Sequence, residues 1–321
     1  MTYTIALIGL NVVGTSVGLA LRKNREVRRL GHDRDPKQAQ EAKKQGAVDE
    51  IHYSLPQAVE GANLILLTEP LSQLEETFQI LGPQLREGTV VMDFAPIKRA
   101  PAEWAVRYLP SNCTYVGLKP TFNPQVLDET EWYGREDLFA NSLIAIAAPT
   151  GTSSGVLQLA EDLIISLGAR PLFSDASEID GLVSRASLLP ALTAAAMLHT
   201  TLGRPGWQEA RKMAGMAYRA FLNALFSDEA ASLEQTSLLN RDNVLRALDD
   251  LLSSLQELRA HLEADAVESL GEYFWHARTG GQKWWEERRS GLWDAPSSGA
   301  WNEIPSFGER MSQSFFGGRK R

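Results

Sequence analysis

This chain of 321 residues has few cysteines and histidines, and it has no excess of basic residues. The one cysteine, Cys113, can form no intrachain disulfide and lies in an apolar run, so we predict a buried strand residue in a reducing compartment rather than a nucleophile. Acidic residues outnumber basic ones by 40 to 32, which gives a formal net charge of −8. This balance, with no basic stripe, argues against nucleic acid as a partner.

Long hydrophobic runs are scarce as well. The most apolar late stretch, residues 186–198, contains Ser187, Pro190 and Thr193 and is too short to span a bilayer. The N-terminus enters an apolar strand directly, so we expect no targeting peptide, no membrane partner and a cytoplasmic location. The apolar content of 44% is ordinary for a soluble globular protein, and the length suffices for two domains.

The first 150 residues alternate short apolar strands with amphipathic helices. This pattern predicts an α/β Rossmann-type N-terminal domain with a mostly parallel sheet. The strands are predicted over residues 3–8, 27–33, 63–68, 89–93, 114–117 and 143–147, and a further short one over 170–173.

The remainder of the chain has a different character. Apolar residues recur at helical spacing over most of residues 151–285, which predicts an all-α C-terminal domain for substrate binding and dimerisation. Small-residue faces at 194–196 and 214–217 favour helices that intertwine in a homodimer, with a monomeric bundle as the alternative. Residues 286–321 scatter aromatic side chains among Gly, Ser and Pro, which predicts a mobile tail or an arm that docks on the helical domain or a partner.

A glycine turn joins the first predicted strand to the first helix. Gly9 permits the sharp turn, Gly14 lets the helix pack closely on the sheet, and the helix N-terminus presents free amides to a pyrophosphate. The second strand ends at Asp33, about 20 residues further on, where an acid accepts the hydroxyls of the adenosine ribose. We therefore predict a dinucleotide site formed by Gly9, Leu10, Asn11, Val12, Val13, Gly14 and Asp33.

Two features leave open whether this site binds a dinucleotide and whether that dinucleotide is NAD or NADP. Asn11 replaces the middle glycine of the fingerprint; it tolerates left-handed dihedrals, but its amide either donates to a phosphate oxygen or crowds it. Asp33 favours NAD over NADP because a carboxylate repels a 2′-phosphate, whereas Arg34 and Lys37 can pair with one. The alternative is a structural domain that binds no cofactor.

Residues that follow strands are further candidates, because ligands of open α/β sheets bind at the carboxyl ends of the strands. We expect five such residues to face the cofactor crevice: Thr68, Glu69, Asp93, Lys98 and Lys119.

This order of parts resembles the prephenate/arogenate dehydrogenase family of tyrosine biosynthesis over about residues 3–280. The similar segments are residues 8–16, 31–34, 62–70, 93–98, 115–120 and 187–190. The resemblance implies a small carboxylate substrate whose cyclohexadienol ring carbon passes a hydride to the nicotinamide. A histidine takes the hydroxyl proton, and loss of carbon dioxide makes the ring aromatic.

The family's chemistry residues are replaced in this chain. By the resemblance, the catalytic histidine falls on Lys119, a serine on Pro96 and the arginine that clamps a carboxylate on Asn223. The family's His-Asp pair falls on Ile179-Asp180, and a helix with two histidines reads Ser187 to Ala191 without them. The acid and lysine of the family's Asp-x-Gly-Ser-x-Lys motif remain, as Asp93 and Lys98.

Lys119 and Lys98 are the candidates for proton transfer. A lysine acts as a base only where burial lowers its pKa toward neutrality; Lys119 at a strand end is placed for that, with a solvated loop lysine as the alternative. We therefore expect an NAD(P)-dependent oxidoreductase of the prephenate/arogenate type with an altered substrate site. The alternatives are a catalytically silent dinucleotide-binding homologue that regulates or scaffolds, and a dehydrogenase of another small hydroxy acid.

Overall fold

A computed structural model describes residues 3–129, 132–226 and 230–291. An eight-stranded sheet forms its α/β part, with strand order β3-β2-β1-β4-β5-β6-β7-β8. Every neighbouring pair is parallel except β6 with β7. This confirms the predicted Rossmann-type, mostly parallel sheet. The strands are β1 Tyr3–Ile8, β2 Val27–His32, β3 Glu50–Ile51, β4 Leu64–Leu67, β5 Val90–Asp93, β6 Thr114–Pro120, β7 Leu143–Ala147 and β8 Arg170–Phe173.

Helices cover the sheet and then make up the rest of the described chain. The first six are α1 Val12–Leu21, α2 Pro36–Gln45, α3 Leu55–Val59, α4 Leu71–Leu81, α5 Arg99–Tyr108 and α6 Ser154–Ser166. The others are α7 Ala176–Val183, α8 Leu189–Thr201, α9 Trp207–Met213, α10 Met216–Phe226, α11 Ala230–Leu239, α12 Arg241–Glu263 and α13 Val267–Ser290. The helical C-terminal part is therefore confirmed.

The core lies on both faces of the central strands. All four residues of β4 are buried, as are all four of β5, because helices cover a parallel sheet on both sides. On one face Leu7, Leu66 and Met92 belong to a single apolar cluster with Val17 of α1. This packing fixes the carboxyl ends of β1, β4 and β5 along one edge, where the turn after β1 lies.

The sheet does not end at residue 150, where the sequence placed a domain boundary. Strand β8 pairs with β7, so the α/β part continues to Phe173. The chain divides into compact units at Ala247, and α7 to α11 belong to the first unit. Helix α13 runs into the predicted tail as far as Ser290, and residues 292–321 of that tail lie outside the described residues.

One apolar helix extends well beyond the apolar stretch of residues 186–198. A π-helical turn, Ser184–Leu188, joins α7 to α8, so that residues 176–201 form one helix of 26 residues. By length and composition alone this stretch is able to cross a membrane, and 28% of its most apolar window is buried. Core helices of soluble proteins pass the same test, so the finding is weak support for a membrane span.

Candidate dinucleotide and substrate site

The turn after β1 depends on close backbone approach at two glycines. Gly9 adopts φ +88°, in the left-handed region, and a Cβ there would lie 2.5 Å from the backbone nitrogen of Glu69. A Cβ on Gly14 would lie 1.9 Å from the carbonyl oxygen of Gly9. Any side chain at either position would therefore push α1 or the start of the β4–α4 loop away from the turn.

Asn11 caps α1 with an extended backbone and does not use the left-handed conformation that asparagine tolerates. Its φ of −64° and ψ of −171° are extended, and its Oδ1 accepts from the amide of Gly14 at 3.1 Å. Its Nδ2 donates to the carbonyl oxygen of Thr68 at 2.6 Å. Both polar atoms of this side chain thus make hydrogen bonds within the protein. Because Nδ2 carries a second hydrogen, the expected contact of Asn11 with a phosphate oxygen stays a prediction.

Thr68 fastens the same turn from the end of β4. Its Oγ1 donates to the carbonyl oxygen of Gly9 at 2.5 Å and to that of Ile8 at 3.1 Å. The residue is 4% exposed. Its buried hydroxyl therefore bonds to the glycine turn and does not face the crevice, which differs from the expectation.

Asp33 and the first turn of α1 offer the groups that a dinucleotide requires. The half-buried Asp33 accepts from the amide of Leu10 through Oδ2 at 2.6 Å and from that of Asp35 through Oδ1 at 2.8 Å. Within the described ranges, the amides of Asn11, Val12 and Val13 have no acceptor. The amides fit a pyrophosphate, and the carboxylate of Asp33 fits a ribose hydroxyl.

Arg34 extends toward α4. Its Nη1 lies 2.7 Å from Oε2 of Glu76, and its Nη2 donates to Oγ1 of Thr77 at 3.5 Å. The hydroxyl of Thr77 in turn donates to the carboxyl of Glu69. Burial raises the pKa of Glu69 to about 7, although the Thr77 hydrogen bond and the charge of Arg34 both lower it.

A buried cluster of Asp93, Lys98, Tyr115 and Asp180, here named the Lys98 cluster, lies at the end of β5. The side chains of Asp93 and Lys98 have no exposed surface, and Nζ lies 2.6 Å from Oδ1. The hydroxyl of Tyr115 donates to Oδ2 of Asp93 at 2.5 Å. Asp180 of α7 accepts the amides of Lys98 and Arg99, at 2.6 and 3.3 Å.

This burial changes the ionisation of the cluster. Burial lowers the pKa of Lys98, against the opposing effect of Asp93. Burial and then the charge of Asp93 raise the pKa of Tyr115 well above its ordinary value, and burial also raises that of Asp180. Asp93 and Lys98 therefore do not face the crevice in this structure, contrary to the expectation from their place at a strand end.

Gly117 of β6 explains how the lysine fits inside. A Cβ at this position would lie 2.6 Å from Cδ of Lys98. Lys119 lies two residues further on, on the same face of β6, and pairs in register with Ala145 of β7. It is half-buried, and its Nζ donates to the carbonyl oxygen of Pro120 at 3.1 Å. Lys119 thus follows the Lys98 cluster along β6, at the carboxyl end of that strand.

The sequence pointed only indirectly to several members of the site. Asp180 was noted only because it aligns with the aspartate of the family's His-Asp pair, and Tyr115 only because it lies in a segment similar to the family. Asn240 donates from Nδ2 to the carbonyl oxygen of Asp180 at 2.8 Å, a contact across 60 residues that no local pattern marks. Glu76 and Thr77 look like ordinary residues of an amphipathic helix.

A parallel sheet with a glycine turn after β1 and an acid after β2 defines the Rossmann class of dinucleotide-binding proteins. Family comparison is more specific. The nucleotide-binding domain of prephenate dehydrogenase matches residues 17–172, and the dimerization domain of prephenate dehydrogenase matches residues 175–276. The chain belongs to the prephenate dehydrogenase family.

Individual relatives agree with this assignment. Prephenate dehydrogenase of Bacillus subtilis (strain 168) is 25% identical over 277 residues, which cover 85% of this chain and 74% of that protein. The enzyme of Lactococcus lactis is 25% identical over 285 residues, or 84% and 74%.

Solved structures share the fold. Prephenate dehydrogenase from Aquifex aeolicus, in complex with hydroxyphenyl propionate and NAD+, aligns with a TM-score of 0.78 at 20% identity, over 88% of this chain and 98% of that one. Synechocystis arogenate dehydrogenase aligns at 0.70 and 20%, over 88% and 99%. Family membership confirms the prediction of an NAD(P)-dependent oxidoreductase of the prephenate/arogenate type.

Proposed function

We propose that this protein catalyses the oxidative decarboxylation of a cyclohexadienol carboxylate, of the prephenate or arogenate kind, with NAD as the hydride acceptor and with a substrate site that departs from the family pattern. Such a reaction belongs to tyrosine biosynthesis. The observation that carries the proposal is the pairing of open amides at the start of α1 with Asp33, in a chain that the family matches along most of its length.

The chain's own residues would hold the cofactor in a simple way. The amides of Asn11, Val12 and Val13 would bind the pyrophosphate, and Asp33 would accept a ribose hydroxyl. When bound, NAD supplies the acceptor for the hydride. The carboxylate of Asp33 supports NAD over NADP because it would repel a 2′-phosphate.

Lys119 is the proposed proton acceptor on the substrate side. As the ring carbon loses its hydride, the hydroxyl on that carbon would give its proton to the neutral amine of Lys119, and the ring carboxylate would leave as carbon dioxide. Lys98 has no exposed surface, so we assign it a positioning role. Its ion pair with Asp93 and the hydrogen bond from its backbone amide to Asp180 hold the segment between β5 and α5.

A homodimer completes the proposal. The helical part matches a dimerization domain, and only 28% of the most apolar window of residues 176–201 is buried within one chain. We propose that a second copy, rather than lipid, covers this helix, and that the protein works in the cytoplasm.

The direct test is turnover by the purified protein. NAD or NADP would be mixed with prephenate, arogenate or a small 2-hydroxy acid, and the absorbance of the reduced nicotinamide followed. We expect NAD reduction with prephenate or arogenate, below the usual range of about 1 to 10³ per second, because Lys119 replaces the family's histidine as the base and Asn223 replaces the arginine that clamps a carboxylate. Turnover of hydroxy acids alone would contradict the proposal and favour a dehydrogenase of another small hydroxy acid. Nucleotide binding without any turnover would contradict it and favour a catalytically silent homologue.

Replacement of Lys119 tests the proton acceptor. Lys119→Ala should abolish turnover while the dissociation constant for NAD stays nearly unchanged, and the rate of the unmodified protein should rise with pH as the ammonium loses its proton. Lys23→Ala, which removes an exposed lysine beside Glu136, is the matched control and should change neither quantity. Equal loss of activity in both variants would refute the assignment.

A further inference from the structure

The contacts of Arg34 bear on the choice between NAD and NADP, a question that rests on the proposed dinucleotide function. Arg34 directly follows Asp33, whose carboxylate is anchored to the glycine turn by the amide of Leu10. An arginine at this place is able to neutralise the 2′-phosphate of NADP through paired hydrogen bonds. Whether it does so depends on where its guanidinium is held.

In this structure α4 holds the guanidinium. Nη1 of Arg34 lies 2.7 Å from a carboxylate oxygen of Glu76, and Nη2 reaches the hydroxyl of Thr77 at 3.5 Å. Thr77 is itself fixed, because it is fully buried and its hydroxyl donates to Glu69. The cation next to Asp33 therefore already has an anionic partner and a second anchor on the same helix.

The charges around this position are predominantly acidic. Three carboxylates, Asp33, Asp35 and Glu76, lie beside Arg34 in sequence or pair with it, against one further cation in this segment, Lys37. Asp35 is engaged in capping α2. A 2′-phosphate would have to take Arg34 from Glu76 and also tolerate the carboxylate of Asp33. A 2′-hydroxyl meets neither obstacle.

We propose that Glu76 is a specificity-determining residue that disfavours NADP by holding Arg34 against α4. Asp33 excludes the 2′-phosphate directly, whereas Glu76 acts through the arginine. The pair is solvent-exposed, with 44% of the Arg34 side chain and 59% of the Glu76 side chain accessible, so its effect is that of a surface ion pair. This corresponds to a change of about two- to five-fold in a dissociation constant.

The test measures binding and needs no substrate. Dissociation constants of NAD+ and NADP+ would be determined by titration calorimetry at low ionic strength for the unmodified protein and for Glu76→Gln. The variant should bind NADP+ about two- to five-fold more tightly and NAD+ with less than a two-fold change, and the gain should shrink as salt is added.

Two further variants isolate the role of Arg34. Glu75→Gln is the matched control, because Glu75 lies on the same helix but pairs with Arg107 of α5; it should leave both constants unchanged. In an Arg34→Ala background, Glu76→Gln should no longer improve NADP+ binding. If NAD+ binds but Glu76→Gln changes NADP+ binding no more than Glu75→Gln does, the inference is overturned. If the unmodified protein binds neither nucleotide, the proposed function itself fails.

Discussion

Glu69 couples the stability of this protein to pH. Its carboxyl lies buried at the end of β4, and burial raises its pKa from an ordinary 4.5 to about 7. Because the folded state holds this proton more tightly than the unfolded state, the stability that Glu69 contributes is fully present below about pH 4.5. It is lost as the pH rises to about 7. The difference between the two pKa values corresponds to about 3 kcal/mol.

Glu69→Gln should therefore remove part of this pH dependence. Glutamine keeps an oxygen that accepts from Thr77 but carries no charge, so at pH 8 the variant should unfold at higher denaturant concentration than the unmodified protein. At pH 5 the two should be nearly equal. Glu60→Gln, on an exposed side chain, is the control, and a shared pH profile for the two variants would contradict the role of Glu69.

Some residues of the site could be predicted from the sequence, and others could not. Asp33 follows from its spacing after the glycine turn, and the structure places it beside that turn. The rule that strand ends face ligands also predicted that Asp93 and Lys98 face the crevice, but the side chains of both are buried. An acid and a lysine five residues apart can pair with each other and turn inward, and the missing Cβ of Gly117 that makes room for them comes from another strand.

The junction of β1 and α1 depends on close packing at Gly14. In Gly14→Ala the new methyl would lie 1.9 Å from the carbonyl of Gly9 and 2.5 Å from Oγ1 of Thr68, so the helix must shift. We expect a loss of unfolding free energy of about 1–3 kcal/mol, as for other overpacked sites, and weaker NAD binding by calorimetry.

A second helical glycine gives the comparison. A Cβ at Gly181 of α7 would meet nothing within 4 Å, so Gly181→Ala should raise stability by about 0.5–1 kcal/mol through helix propensity alone. If Gly14→Ala is as well tolerated as Gly181→Ala, the close-packing argument is wrong.

Strands were predictable where a continuous apolar run marks them, as for β1, β4 and β5. Two-residue β3 was missed because it is too short to show any periodicity. The short run that forms β8 was recognised as a strand, but its place in the sheet was not, because pairing with β7 is a long-range contact. The helical part was visible in outline, whereas the π-helical turn before Pro190 has no clear sequence signal.

For the whole molecule, the exposed apolar surface of the helical part makes the dimer testable. Met213 and Met216 are 88% and 91% exposed within one chain and flank the small residues 214–215. Light scattering should give a mass near twice the 35.4 kDa of one chain. Met213→Lys with Met216→Lys should shift that mass toward the monomer, because a buried unpaired charge is costly at an interface.

Val106→Lys is the corresponding control. Val106 is 84% exposed, but it lies on α5 of the α/β part, outside the segment that matches a dimerization domain. This variant should keep the mass of the unmodified protein. A concentration-independent monomer in the unmodified protein would refute the dimer.

The turn after β1 also bears on the thermodynamics of ligand capture. Asp33 holds the amide of Leu10, Thr68 holds the carbonyl of Gly9, and Asn11 ties the helix cap to β4, all through protein groups alone. A loop whose shape is already set loses little conformational entropy when a nucleotide arrives, so more of the contact energy remains as affinity. Asn11 achieves this by taking the amide of Gly14 for itself. The Asn11 cap thus fixes the shape of the turn, but it also occupies the Gly14 amide, which is then one backbone donor that a pyrophosphate cannot use.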